Sequence, residues 1–212
     1  MHASNFRRAL AGFVLAVSLA GCTSPTDSQY AALKDVPLAA ARLHAVTVVT
    51  DNATFPQLLA KQGYSAMVFA SNYPASDRVE ASLWSVPEPV VARAAHFHAS
   101  GPDVPDVRVL VMELAARGRE ADAATNRAFF RNVLGSEVPS LPQGIEASEG
   151  LRVQVWTYLV PNVGETNERL RANGIPVVFD PVAITTAYLG EHKAMAIRAP
   201  DGTIVELVET AR

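Results

Sequence analysis

Four polar side chains stand at matching places in two stretches of this chain. His44 lies eight residues before Asn52, and Gln154 lies eight before Asn162. Each stretch later closes on an apolar run that carries a glutamate: Val111-Met112-Glu113-Leu114 in the first, Ile204-Val205-Glu206-Leu207 in the second. In extended chain, alternate residues share a face. His44 then shares a row with Val46 and Val48, Glu113 with Val109 and Val111, Gln154 with Trp156 and Tyr158, and Glu206 with Ile204 and Val208. If those rows face one cleft, the polar ends converge in an apolar, partly aromatic pocket, the usual build of a small-molecule site.

The elements that must position these residues repeat. Leu43–Thr50 is rich in β-branched residues and reads as a strand. Asp51-Asn52 starts a helix through Phe55, Leu58 and Leu59 that ends at Gly63. Ser65–Ala70, Arg93–Ala99 and Arg108–Leu114 read as strands, with an unplaced insertion over Pro74–Pro89 that carries Trp84. The second stretch opens with the strand Val153–Leu159. Asn162 then precedes a helix through Thr166 and Leu170, capped by Gly174. Val177–Phe179 reads as a short strand, and Lys193–Arg198 and Thr203–Val208 flank the turn signal Pro200-Asp201-Gly202. Each half is β-α-β-β-β, and self-similarity on this scale predicts a duplicated fold.

The N-terminus carries its own signal. Arg7-Arg8 precede an apolar run from Ala9 to Ala20, followed by Leu19-Ala20-Gly21-Cys22. The run is about a dozen residues where a bilayer-spanning helix needs about 20, so it reads as a secretory signal. The site resembles the lipobox of bacterial lipoproteins, which implies cleavage before Cys22 and its acylation. Thr23 at the next position favours the outer membrane, facing the periplasm. Cys22 is the only cysteine, so no disulfide supports the fold. Loss of residues 1–21 removes two arginines and no acids and takes the net charge from −3 to −5, which argues against nucleic acid as a partner. The expected organisation is a signal peptide over 1–21, a lipidated tether over 22–42, a first module over 43–116, a linker over 117–150 and a second module over 151–210. Asn126–Gly135 in that linker also looks like the first helix of a module.

The chain resembles the vicinal oxygen chelate superfamily, which includes glyoxalase I, the bleomycin- and fosfomycin-resistance proteins and the extradiol dioxygenases. The resemblance is carried by Leu170-Arg171-Ala172-Asn173-Gly174-Ile175 and by Ala199-Pro200-Asp201-Gly202-Thr203-Ile204-Val205-Glu206-Leu207. These are similar to the family's "L-x-x-x-G-I … DPDG-x-x-I-E-L" ending, with Ala199 in place of its first aspartate. It spans roughly residues 43–210 and is more specific in the second half. It implies an α+β fold of paired βαβββ modules forming an open half-barrel cleft, the modules pairing within one chain or across a homodimer. It also implies a divalent metal in the cleft, held by His44, Glu113, Gln154 and Glu206. One His, one amide and two carboxylates form a mostly oxygen-donor set suited to Zn, Ni, Mn, Co or Fe, and the cation would relieve repulsion between the carboxylates.

The function so implied is a metal-dependent lyase or isomerase of the glyoxalase type, acting on a small vicinal-oxygen substrate. Glu206 would be the general base and Glu113 its partner. Trp156, Tyr158 and Arg198 are candidate substrate contacts, Arg198 for an anionic group. His96 and His98, two apart on one strand, offer a replacement for Gln154. The thiol co-substrate of glyoxalase I is cytosolic, so an exported protein needs another substrate. A metal-free module that sequesters a small molecule is the alternative, and an Fe(II) ring-cleaving dioxygenase a third.

Overall fold

The computed structural model describes residues 41–52, 54–70, 93–98, 105–111, 122–141, 145, 151–186 and 189–210. The expected signal peptide, the tether up to residue 40 with Cys22, Glu113 and the Pro74–Pro89 insertion lie outside the described residues, and Arg42, expected in the tether, opens the first strand. The first half runs β1 (Arg42–Thr50), α1 (Phe55–Lys61), β2 (Ser65–Ala70), β3 (Arg93–His98) and β4 (Asp106–Val111). The second runs β5 (Leu151–Leu159), α3 (Val163–Ala172), β6 (Val177–Thr186), β7 (Gly190–Arg198) and β8 (Ile204–Thr210). Between them stands α2 (Ala123–Phe129), continued by a π-helical turn over Phe130–Leu134.

The strands form one sheet in the order β2-β3-β4-β1-β5-β8-β7-β6. In each half the first strand pairs parallel with the last, β1 with β4 and β5 with β8, and the halves meet where β1 and β5 pair antiparallel. The two βαβββ modules therefore complete one sheet within a single chain.

The halves fold alike because their local signals are alike. α3 starts where the Asn162 side chain accepts the Glu165 N–H at 3.0 Å. It ends at Gly174 in the left-handed region, where the Ile175 N–H reaches back to the Leu170 carbonyl. α1 ends the same way through Gly63, with the Tyr64 N–H on the Leu59 carbonyl. The turn at Pro200-Asp201-Gly202 joins β7 to β8 as expected, the Asp201 carboxylate accepting the Thr203 N–H at 2.9 Å. β6 runs longer than the short strand expected at Val177–Phe179. It continues through Pro181, which a strand at the sheet edge tolerates because one row of its N–H groups needs no partner.

All three helices pack on one face of the sheet. Val46, Val48, Val107, Val109, Trp156, Tyr158, Val205 and Leu207 form one core with Phe55, Leu59, Phe129, Phe130, Val163 and Leu170. Phe129 and Phe130 meet edge to face at 5.3 Å, and the Asn126 side chain bonds Asp201 at 2.9 Å, so α2 is tied to the second module. The intervening strand residues face the other side, where Ile184, Ala194 and Val208 form a smaller apolar cluster. Among the described residues no helix is long and apolar enough to cross a membrane.

Candidate functional site

The register across the sheet centre defines a pseudo-two-fold axis. Val46 pairs with Trp156, while Ala45 pairs with Thr157 and Thr47 with Val155. Residues 110 apart are thus exchanged, and the Val46–Trp156 pair lies on the axis. β1 and β5 each carry an irregularity at the equivalent place, between Leu43 and Ala45 in one and between Val153 and Val155 in the other. The extra residues are His44 and Gln154, so the structure places these two sequence-matched positions at symmetric bulges. A bulge re-aims side chains and breaks strict alternation.

The outer strands extend the symmetry and change the expected site. Thr47 pairs with Arg108 on β4, and its counterpart Thr157 pairs with Glu206 on β8. Arg108 is therefore the structural equivalent of Glu206. The expected pairing of Glu113 with Glu206 is five residues out of step with this register. Glu113 itself lies outside the described residues.

Arg108 and Glu206 meet. The guanidinium donates to the Glu206 carboxylate at 3.2 Å and to the Thr157 hydroxyl at 2.6 Å, and that hydroxyl donates to the same carboxylate oxygen at 2.9 Å. Both side chains are buried, 6% and 0% exposed. β1 and β5 separate the two strands, yet the side chains rise from one face and meet above Thr157, so the sheet bends towards the face away from the helices. A lone carboxylate or guanidinium at this depth would cost several kcal/mol in lost hydration (~3–5 on removal of one partner), and the pair avoids this cost. Thr47, paired in register with Arg108, is also fully buried. Its hydroxyl has no hydrogen-bond partner among the described residues.

The other candidates are placed as follows. Trp156 and Tyr158 are buried in the core under the helices. This differs from the expected rows facing one cleft, and the bulge at Gln154 is the reason alternation failed to carry the side across. Burial pushes the Tyr158 phenol up to about 12, with a weaker lowering contribution from its 3.3 Å contact to Ser136. Arg198 is exposed and donates to the Gly202 carbonyl at 2.9 Å, closing the β7–β8 turn. His98 bonds Asp106 at 2.9 Å near the surface, and His96 is the register partner of Arg108. His192 is buried on β7 with its Nδ1–H donating to the Gly190 carbonyl.

The implied divalent metal can be tested on these residues. Among the described residues no three carboxylate, histidine or cysteine side chains gather as a ligand set. More tellingly, a cation on the Glu206 oxygen bonded by Arg108 would lie beside a buried guanidinium and be repelled. The described residues do not fit a metal as they are arranged. The signal that could have found Arg108 is a single charged residue inside an apolar strand: Val107-Arg108-Val109-Leu110 against Val205-Glu206-Leu207-Val208.

No protein-family model matches the chain, and no curated protein matches it. Among solved structures it is similar to methylmalonyl-CoA epimerase from Mycobacterium tuberculosis, with 15% identity over 81% of this chain and 89% of that one, TM-score 0.44. It is similar to a variant of 4-hydroxymandelate synthase from Streptomyces coelicolor, with 13% identity over 81% and 50%, TM-score 0.48. A hypothetical protein from Bacillus halodurans gives 11% identity over 82% and 96%, TM-score 0.46. The fold assignment rests on strand order and register, which give the α+β arrangement of paired βαβββ modules.

Proposed function

We propose that this protein is an exported lipoprotein that binds a small molecule on the bent face of its sheet without a metal ion. The Thr47 hydroxyl carries the reading. It is fully buried, in register with Arg108 and next to the axial Val46, and has no hydrogen-bond partner among the described residues. Buried hydroxyls nearly always find a partner, and one without a partner in the protein suits a bound ligand. Arg108, Thr157 and Glu206 supply a charge-balanced polar floor beside it, and the Ala194–Val208–Ile184 cluster an apolar flank. The N-terminal signal motif and Cys22 supply the export and anchoring half of the reading.

A second reading has one observation in its favour. His44 and Gln154 sit at symmetric bulges beside the axis, positions that suit a divalent-metal lyase or isomerase of the glyoxalase type with Glu206 as base. It requires Arg108 to release Glu206.

Native mass spectrometry of the full chain extracted from membranes tests the first reading. The expected result is a small-molecule adduct that Thr47→Val abolishes, together with acylation that Cys22→Ala abolishes. An adduct-free wild type would count against the binding role, and an unmodified Cys22 against the anchor.

A further inference from the structure

We infer that the Arg108 guanidinium is the resident cation of this site, and that removing it opens a divalent-metal site that the wild-type protein does not have. This goes beyond the binding role and rests on the ion pair alone. The symmetry makes Arg108 the counterpart of Glu206. Two like residues there would bring two carboxylates towards one axis on a buried face, and both would lose hydration and repel. The chain instead places a guanidinium in one half and a carboxylate in the other. They are joined at 3.2 Å and share the Thr157 hydroxyl. Arginine stays protonated at any working pH, so this positive charge is permanent. It cannot be chelated or exchanged.

The lengths of the side chains make the inference testable. A glutamate at position 108 is shorter than arginine and would stop short of Glu206. The two carboxylates would then face each other across the space the guanidinium fills, and a divalent ion there would offset their repulsion. His96 on β3 is the register partner of position 108, and His44 and Gln154 stand at the bulges of the two central strands.

The experiment compares wild type, Glu206→Gln, Arg108→Glu, Arg108→Gln and Arg108→Glu/Glu206→Gln, each full-length. Each is stripped with chelator and dialysed against Zn²⁺ or Ni²⁺, and bound metal is measured by mass spectrometry alongside thermal unfolding. Wild type is expected to retain no ion and show no metal-dependent shift. Arg108→Glu should retain about one ion per chain and unfold at higher temperature with metal than without. The double variant should lose both effects. Arg108→Gln keeps Glu206 as the single carboxylate and should bind at least tenfold more weakly than Arg108→Glu. Should Arg108→Glu be unfolded without metal, the expected result is folding on addition of Zn²⁺ or Ni²⁺. Two results would overturn the inference. One is an ion held by wild type and lost in Glu206→Gln. The other is an Arg108→Glu protein that gains neither metal nor stability. The second result leaves the binding reading standing, whereas an ion held by wild type would also overturn its metal-free part; the ligand adduct that Thr47→Val abolishes tells the two proposals apart.

Discussion

The two halves of the sheet share a plan and differ at its centre. Thr47 and Thr157 are equivalent, and each pairs with a charged residue on the strand that closes its module, Arg108 in the first half and Glu206 in the second. The backbone is duplicated while the charge is inverted. A symmetric pair of acids would have created a demand for an outside cation, whereas an acid and a base satisfy each other. The comparison teaches that a duplicated fold can keep its frame and still rewrite its site with one residue.

The largest expected effect tests whether the two charges act as a unit. Arg108→Ala leaves Glu206 buried and uncompensated and should cost about 3–5 kcal/mol in chemical unfolding. Glu206→Gln should cost a similar amount, and Arg108→Leu with Glu206→Leu should recover most of the loss. Additive losses would show that the residues are independent. Next, Trp156→Ala removes the second module's member of the axial pair with Val46 and empties the core under the helices. About 3–5 kcal/mol is expected from cavity formation, and a loss under 1 would show that the halves meet without packing together.

A smaller contrast lies at the helix starts. Asn162 accepts the Glu165 N–H three residues on, while the matching Asn52 accepts the Thr54 N–H two residues on. The first is a helix cap and the second a local turn. Asn162→Ala should cost about 1 kcal/mol and Asn52→Ala less, measured by the same unfolding assay; equal costs would erase the distinction. The last test concerns the face that carries no charge pair. Tyr158→Phe deletes one long hydrogen bond to Ser136 and should cost about 0.5–1.5 kcal/mol. The folded phenol holds its proton more tightly than the free group, so its contribution is complete below pH 10. It is lost as pH rises through about 12. The variant should lack this alkaline loss, and an unchanged profile would place the titration elsewhere.

Much of the frame was legible in the sequence because it is written locally. The Asn162 cap, the glycines at 63 and 174 and the Pro200-Asp201-Gly202 turn each act within a few residues, and the structure places them as expected, while α1 starts at Phe55 after Thr54 rather than at Asn52. The site was only half legible. His44, Gln154 and Glu206 were singled out from one end of each strand. Arg108 was missed because its match to Glu206 depends on how β4 lines up with β1, two strands more than fifty residues apart in the chain. The side taken by Trp156 and Tyr158 was misread because a single bulge at Gln154 defeats a rule of strict alternation.

The sequence alone therefore determined the duplication, the order of strands and helices within each half, the ends of α1 and α3, and the residue types available for chemistry. Tertiary structure alone decided that the halves join β1 to β5 in one sheet and that a two-fold axis passes between Val46 and Trp156. It also decided that a guanidinium, rather than a second carboxylate, faces Glu206. The reason is physical. Turns and caps are fixed by dihedral preferences and hydrogen bonds between neighbours, whereas parallel register and the burial of an ion pair are set by how whole strands slide against one another to bury the core.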